Sequence, residues 1–305
     1  IGLGARCVIA ENCHKATIPA ELVGGCDPNP AMRQRATEVL GDYPWFETLD
    51  ELLELGIDCA IVTSPDDTHE DITCALLEAG VAVYLEKPIA ITIEGSDRVL
   101  ETAYRTKTPL YVGHNMRHMA VVRILRQVVQ DGLIGEVRAI WCRHFVGNGG
   151  DYYFKDWHAD RSRTTGLLLQ KAAHDIDVMN WLSDSVPERV VGMGDLMLYG
   201  KLSDRGGQKS DAVMSDWFSF DNWPPASLTG LNPVIDVEDV SMLMMRQASG
   251  TLISYEQCHF TPDYWRNYTV IGTEGRAENF GDGEGGVVRV WKHRSGWEPT
   301  GDIEI

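Results

Sequence analysis

Short apolar runs and amphipathic stretches take turns through the first third of the chain, and this alternation restricts the fold more than any other feature. AELVGGCD reads as a strand ending at Asp27, DPNPAMRQRATEVL as a turn into a helix, and DCAIVTS and VAVYLE as buried strands. TLDELLEL opens with Thr48 and carries Glu51 three residues later, a capping-box pattern. Asp66 and Asp67 open a further helix that runs to Gly80, and another helix is expected around Ser96 to Tyr104 before the strand PLYVGHN. Apolar strands separated by helices imply a parallel sheet covered on both faces.

After Asn115 the pattern changes. MAVVRILRQVVQDGLIG and TTGLLLQKAAHDIDVMNWL read as helices and GEVRAIWCRHFV as a long strand. Strand-like segments dominate from about Glu188 onward: SDWFSFD, SMLMMRQ, GTLISYEQCHF, RNYTVIGT and VVRVWKHR, with turns such as GTEG and DGEGG between several of them. A boundary is expected near residue 115, with an α+β domain on a large, open, mainly antiparallel sheet over residues 116–305.

Ile1-Gly2-Leu3-Gly4-Ala5-Arg6-Cys7 lies where the first strand hands over to the first helix. Gly2 and Gly4 match the first two glycines of a dinucleotide fingerprint, which allow a tight turn and close backbone approach to a pyrophosphate. Cys7 replaces the third glycine, so the helix is expected to pack slightly further from the sheet. Asp27 ends the second strand, where a carboxylate accepts from a ribose 2′-OH and repels a 2′-phosphate, favouring NAD over NADP; the alternative is a turn-initiating Asp before Pro28. Residues 1–115 are thus expected to form a doubly wound Rossmann domain whose first strand is truncated in the sequence.

The net charge of −18, from 27 basic and 45 acidic residues, disfavours nucleic acid or an anionic membrane as the main partner. Any anionic ligand needs a local basic pocket or a helix N-terminus. No apolar run reaches roughly 18 residues, so no membrane span is expected. No signal peptide is visible, but the sequence opens abruptly at IGLGAR and the true N-terminus is expected to lie upstream. The seven cysteines form no CxxC pair and point to free thiols in a reducing cytoplasm. No metal site is expected: His114 and His118 lack a third ligand nearby, and DGEGG offers too few oxygens.

VAVYL stops at Glu86, Lys87 and Pro88. Ligands of an open parallel sheet bind beyond the carboxyl ends of its strands, so Lys87 is expected in the cofactor crevice, and a cis Lys87–Pro88 bond is expected there. The G-x-G-x-R turn, TSPDDTH at Thr63–His69, Glu86-Lys87-Pro88, GHNMR at Gly113–Arg117 and the helix with His174 follow in order, and with them the sequence resembles the Gfo/Idh/MocA family of NAD(P)-dependent oxidoreductases over most of its length. The resemblance implies that Thr63, Ser64, Pro65 and His69 line the cofactor side, that Glu86 orients the nicotinamide end and that Lys87 touches substrate. Gly2, Gly4, Ala5, Arg6, Asp27 and Asn115 complete the candidate NAD-binding set.

In the family a helix carries Asp-x-x-x-His, whose histidine is an acid/base. Here the matching segment keeps His174 and has Gln170 in place of the aspartate. Helical spacing sets Gln170, His174 and Asp177 on one stripe with Lys171 beside it. A glutamine cannot raise the imidazole's basicity by charge, so Asp175 or Asp177 is expected to compensate, or Lys87 to carry more of the proton transfer. The alternative is a surface pair of His174 and Asp177. Lys87 and His174 are the candidate catalytic residues.

The candidate substrate residues are Lys87, Arg117, Tyr153, Trp157, His158, Gln170, Lys171, His174, Asp177 and Tyr264, with Arg161, Trp265 and Arg266 behind them. Aromatic faces suit sugar rings and polar groups their hydroxyls, although each aromatic is equally suited to a core or subunit contact. His259 is expected to be structural. The expected activity is hydride transfer between NAD and a secondary alcohol of a sugar, sugar derivative or cyclitol. An NAD-dependent glycosidase and a non-catalytic NAD-binding sensor are the alternatives. The resemblance also implies a homo-oligomer, dimer or tetramer.

Overall fold

The computed structural model describes residues 1–15, 20–209 and 211–305. In the first part, strands and helices alternate: β1 (Gly25–Cys26), α1 (Pro30–Leu40), β2 (Trp45–Phe46), α2 (Leu49–Leu53), β3 (Cys59–Val62), α3 (His69–Glu78), β4 (Ala82–Leu85), α4 (Ile93–Thr106) and β5 (Leu110–Val112). β1 pairs with β2, and β3, β4 and β5 pair in that order, all parallel. Ile1 and Gly2 join the two pieces. Thr63 N donates to Ile1 O at 2.8 Å on one side, and Gly2 N to Cys26 O at 3.1 Å on the other.

Local chemistry sets the helix starts. Thr48 and Glu51 form the capping box on α2, as the spacing predicts. Asn29 caps α1, which has Pro30 at its first position, and Thr92 caps α4, so that helix begins three residues before Ser96. The segment after the glycine turn is a 3-10 helix, Cys7–Lys15, and Cys7 packs with Leu3, Met32, Ala36 and Val213.

In the second part, α5 (Ala120–Gln130) precedes β6 (Val137–Phe145). The short helices α6 (Gly149–Tyr153) and α7 (Arg161–Thr164) lead into α8 (Leu167–Ser183). Then follow β7 (Pro187–Asp195), α9 (Met214–Trp217), β8 (Val240–Gln247), β9 (Leu252–Cys258), β10 (Trp265–Gly272), β11 (Arg276–Phe280), β12 (Val287–Trp291) and β13 (Ile303–Glu304). These strands make one sheet in the order β13-β12-β11-β10-β6-β9-β8-β7, antiparallel throughout except for β6 with β9. α5 and α8 cover one face of it: Val122, Leu125, Val178, Met179 and Leu182 bury against Ile140, Ile253, Tyr255 and Val270.

The structure departs from the sequence reading at SDWFSFD and at β7, and the short strands β2, β11 and β13 also have no counterpart among the expected ones. SDWFSFD is no strand, because Asp216 accepts from Val213 N at 2.8 Å and winds Met214–Trp217 into a helical turn. β7 has no counterpart among the expected strands: it is exposed along nearly its whole length and therefore shows no in-out alternation.

Gly2 has φ +80°, and a Cβ there would lie 2.4 Å from Ser64 N, whereas a Cβ on Gly4 meets nothing within 4 Å. Gly2→Ala should therefore lower the unfolding free energy by at least about 1–2 kcal/mol. Gly4→Ala should stay within about 0.5 kcal/mol of the parent in the same urea titration.

Candidate active site

The parallel ladder brings five loop starts to one edge. Asp27 N bonds Phe46 O, Thr63 N bonds Ile1 O, Glu86 N bonds Val62 O and Gly113 N bonds Leu85 O, while Gly2 sits between Cys26 and Ser64. Asp27 holds the glycine turn directly, its Oδ2 accepting from Leu3 N and its Oδ1 from Asn29 N, both at 2.8 Å. Thr63 Oγ1 donates to Gly2 O at 2.8 Å, and Thr68 Oγ1 to Ser64 Oγ at 2.7 Å. His69 is buried, with Nδ1 2.7 Å from Pro88 O and Nε2 2.9 Å from Ser64 O, and so ties the Thr63–Pro65 loop to the turn after β4. Arg6 pairs with the buried Glu86 at 3.0 Å. Ala5 is exposed beside Arg6, and Asn115 is exposed just past β5. Gly2 has no room for a side chain and Gly4 is open, so this edge fits a dinucleotide pyrophosphate, with the Asp27 carboxylate beside it.

The Lys87–Pro88 peptide is cis, as expected. Lys87 is buried and its Nζ donates to Gln170 O at 2.7 Å, reaching from the end of β4 to α8. Burial lowers the amine's pKa, while Asp66 opposes that effect. Asp66 is itself buried, accepts from Thr164 Oγ1 at 3.2 Å, and is pushed up by burial. It faces Lys87 and His158 electrostatically, a role that its place in TSPDDTH does not disclose.

Burial, then Lys87 and Lys171, hold His174 well below the usual imidazole range. Its Nδ1 and the Gln170 Oε1 are buried atoms without a protein partner. Lys171 extends over the Tyr153 ring, with Nζ 5.5 Å from the centroid, and its amine is lowered to about 7 by burial and then by Arg266. Tyr153 is buried, with its ring edge-on to His158 and His259. Trp157 and His158 stack at 3.7 Å.

Neither expected carboxylate bonds His174. Arg117 takes Asp177 through two bonds, at 2.7 and 2.6 Å. Asp175 points the other way, into a buried cluster with His144, Tyr255, Tyr268 and Arg266. Arg266 Nε lies 3.0 Å from Asp175 Oδ1 but is not aligned as a hydrogen-bond donor, so that contact is ionic. Burial alone would raise the Asp175 pKa, but Arg266 and then His144 outweigh it and hold the group well below the carboxylate range. Arg266 also reaches Asp282, which accepts from Tyr264 OH at 2.7 Å, so Tyr264 stands at the rim of this cluster.

Two of the remaining candidates lie outside this arrangement. Arg161 turns away toward Asp236 and Glu238, and Trp265 lies edge-on to Phe280. His114 and His118 stand past β5, with His118 Nε2 3.2 Å from Tyr111 OH. Among the described residues no three His, Cys, Asp or Glu side chains are grouped to hold a metal ion, and no helix is long and apolar enough to cross a membrane.

An NAD-binding Rossmann oxidoreductase is the class that this edge and the facing helix define: residues 1–114 match the family model described as an oxidoreductase family with NAD-binding Rossmann fold. Residues 122–278 match the GFO/IDH/MocA C-terminal domain, and the chain belongs to the Gfo/Idh/MocA family. It is 26% identical over 299 residues to the oxidoreductase YteT of Bacillus subtilis (strain 168), covering 85% of this chain and 70% of that protein. It is 29% identical over 199 residues to the inositol 2-dehydrogenase of Rhizobium meliloti (strain 1021), covering 64% of this chain and 57% of that protein. The fold matches the WlbA dehydrogenase from Bordetella pertussis in complex with NADH and UDP-GlcNAcA, with TM-score 0.73, 21% identity, and coverage of 92% of this chain and 76% of that one.

His144 is fully buried and lowered to about 4, by burial first and then by Arg266. Its folded pKa lies below the unfolded value of about 6.5, so the unfolded chain takes up the proton first on acidification. The associated stability is present above pH 6.5 and is lost as pH falls toward 4, up to about 3 kcal/mol. Urea midpoints at pH 7 and 4.5 should differ less in His144→Gln than in the parent.

Proposed function

We propose that the chain transfers a hydride between NAD and a secondary alcohol of a sugar, sugar derivative or cyclitol, with Lys87 and His174 handling the hydroxyl proton. The 2.7 Å bond from Lys87 Nζ to Gln170 O carries this reading, because it joins the Glu-Lys-Pro turn at the sheet edge to the helix of His174. In this reading residues 1–115 are the cofactor half and 116–305 the substrate half. Gly2, Gly4, Ala5 and Arg6 would hold the pyrophosphate and Asp27 the ribose. Thr63, Ser64, Pro65, His69, Glu86 and Asn115 would line the nicotinamide side. NAD, when bound, supplies the hydride acceptor for an alcohol or, reduced, the donor for a ketone.

The protein's own groups divide the proton work. His174 is held neutral by its surroundings, so the imidazole has a lone pair free to accept the hydroxyl proton. Lys87 donates to the developing alkoxide, and its lowered pKa eases proton sharing. Tyr153, Trp157 and His158 supply the aromatic wall, and Gln170 Oε1 an unused acceptor. Arg117 and Asp177 satisfy each other and would frame the site rather than bind substrate alone. The relatives named above are oxidoreductases and dehydrogenases, and neither the glycosidase nor the sensor reading is retained.

We also infer a homo-oligomer and a cytoplasmic setting. Val191, Met244, Ser254 and Trp141 lie in register across the outer face of the large sheet, and the three apolar ones are exposed. A second copy covering that row would bury it. The seven free cysteines suit a reducing compartment.

Lys87→Met and His174→Ala should each lower kcat by about 10²–10⁴ on a turned-over polyol. NAD binding followed by tryptophan fluorescence is the folding control, and turnover within a few-fold of the parent would refute the assignment. Asp27→Ser should shift the NAD-to-NADP preference in kcat/KM toward NADP by about tenfold or more, through loss of the repelling carboxylate.

A further inference from the structure

Lys171 follows Gln170 on α8 and precedes His174 by three residues, and its ammonium has no hydrogen-bond or ion-pair partner among the described residues. The carboxylates around it are engaged elsewhere. On α8 Asp175 is held by Arg266, His144, Tyr255 and Tyr268, and Asp177 by Arg117. After β11 Asp282 is held by Arg266 and Tyr264, and after β4 Glu86 by Arg6. The charged groups facing Lys171 are Arg266, Asp175, Asp282 and Arg6, and Lys87 and His174 feel its charge in turn. Each of these carboxylates therefore already has its own partners, and the Lys171 ammonium alone among the cations named here has no hydrogen bond or ion pair of its own among the described residues.

The unpaired ammonium has a chemical reading. A neutral sugar would leave the ammonium uncompensated, whereas an anionic one would pair with it and restore its proton. The neighbouring Gln170 Oε1 is a buried acceptor that needs a hydroxyl donor. We propose that Lys171 and Gln170 form the recognition site for a polyol bearing an anionic group, a carboxylate or a phosphate, with Lys171 on the anion and Gln170 on a hydroxyl. This rests on the dehydrogenase reading for its reacting carbon, but the anion contact itself does not require turnover.

The test pairs D-glucuronate with D-glucose, D-galacturonate with D-galactose, and glucose 6-phosphate with glucose. Initial rates with NAD are read alongside calorimetric binding in the presence of NADH. The parent should favour one anionic arm by about 10- to 100-fold in kcat/KM, mainly through KM. The carboxylate and phosphate arms identify which anion is taken. Lys171→Met should shrink the acid-to-neutral ratio at least about tenfold, and Lys171→Arg should keep it. The preference should fade as pH rises above about 7, where the free amine loses its proton. Equal handling of acids and neutral sugars by the parent would overturn the proposal, as would a Lys171→Met variant that slows both alike. Glucuronate binding that is lost in Lys171→Met without any NADH formation would support the anion site and count against the hydride reading alone.

Discussion

The ammonium of Lys87 is the point on which the two halves of the site meet. It leaves the end of β4, where the parallel ladder stops at Glu86, and donates to the carbonyl of Gln170 on α8. In a regular helix that same carbonyl accepts the N–H four residues on, from His174. A carbonyl oxygen has two lone pairs, so one atom holds both the helical turn that carries His174 and the lysine from the opposite sheet. Displacement of the turn after β4 would therefore be felt at His174 without any contact between the two side chains.

Charge is layered around this point. Behind α8 lies a buried carboxylate, Asp175, satisfied by an arginine, an imidazole and two phenols. In front stand lysines and an imidazole whose proton affinities are all lowered, with burial as the first cause in each case. Helical geometry separates the imidazole from the carboxylate: neighbouring positions 174 and 175 point about 100° apart, so the carboxylate faces the core while the histidine faces the crevice, whereas Lys171, one turn before Asp175, feels its charge.

The parallel half was legible because its strands are uniformly apolar and end abruptly in residues that cannot continue them: the Gly2 turn, Asp27, Thr63-Ser64-Pro65 and Glu86-Lys87-Pro88. Hydrogen bonds between successive strand ends then bring those loops to one edge. The second half was less legible. β11 is short and polar, with Asn279 held in the interior by bonds to the backbone of the neighbouring β10 rather than by hydrophobicity. The fate of Asp177 could not be read locally either, since its arginine lies 60 residues away. Asp66 and Asp175 are hidden for the same reason: a buried carboxylate is recognised by its partners, and these come from distant segments.

The glutamine at 170 gives the front of α8 its character. A carboxylate there would lie one turn before His174 on the same stripe and would raise the basicity of the imidazole. Glutamine keeps the hydrogen-bonding shape but withholds the charge, so nothing at this position offsets the burial and the Lys87 and Lys171 charges that lower the imidazole. On the proposal above, the negative charge absent from position 170 is supplied instead by the ligand's anionic group.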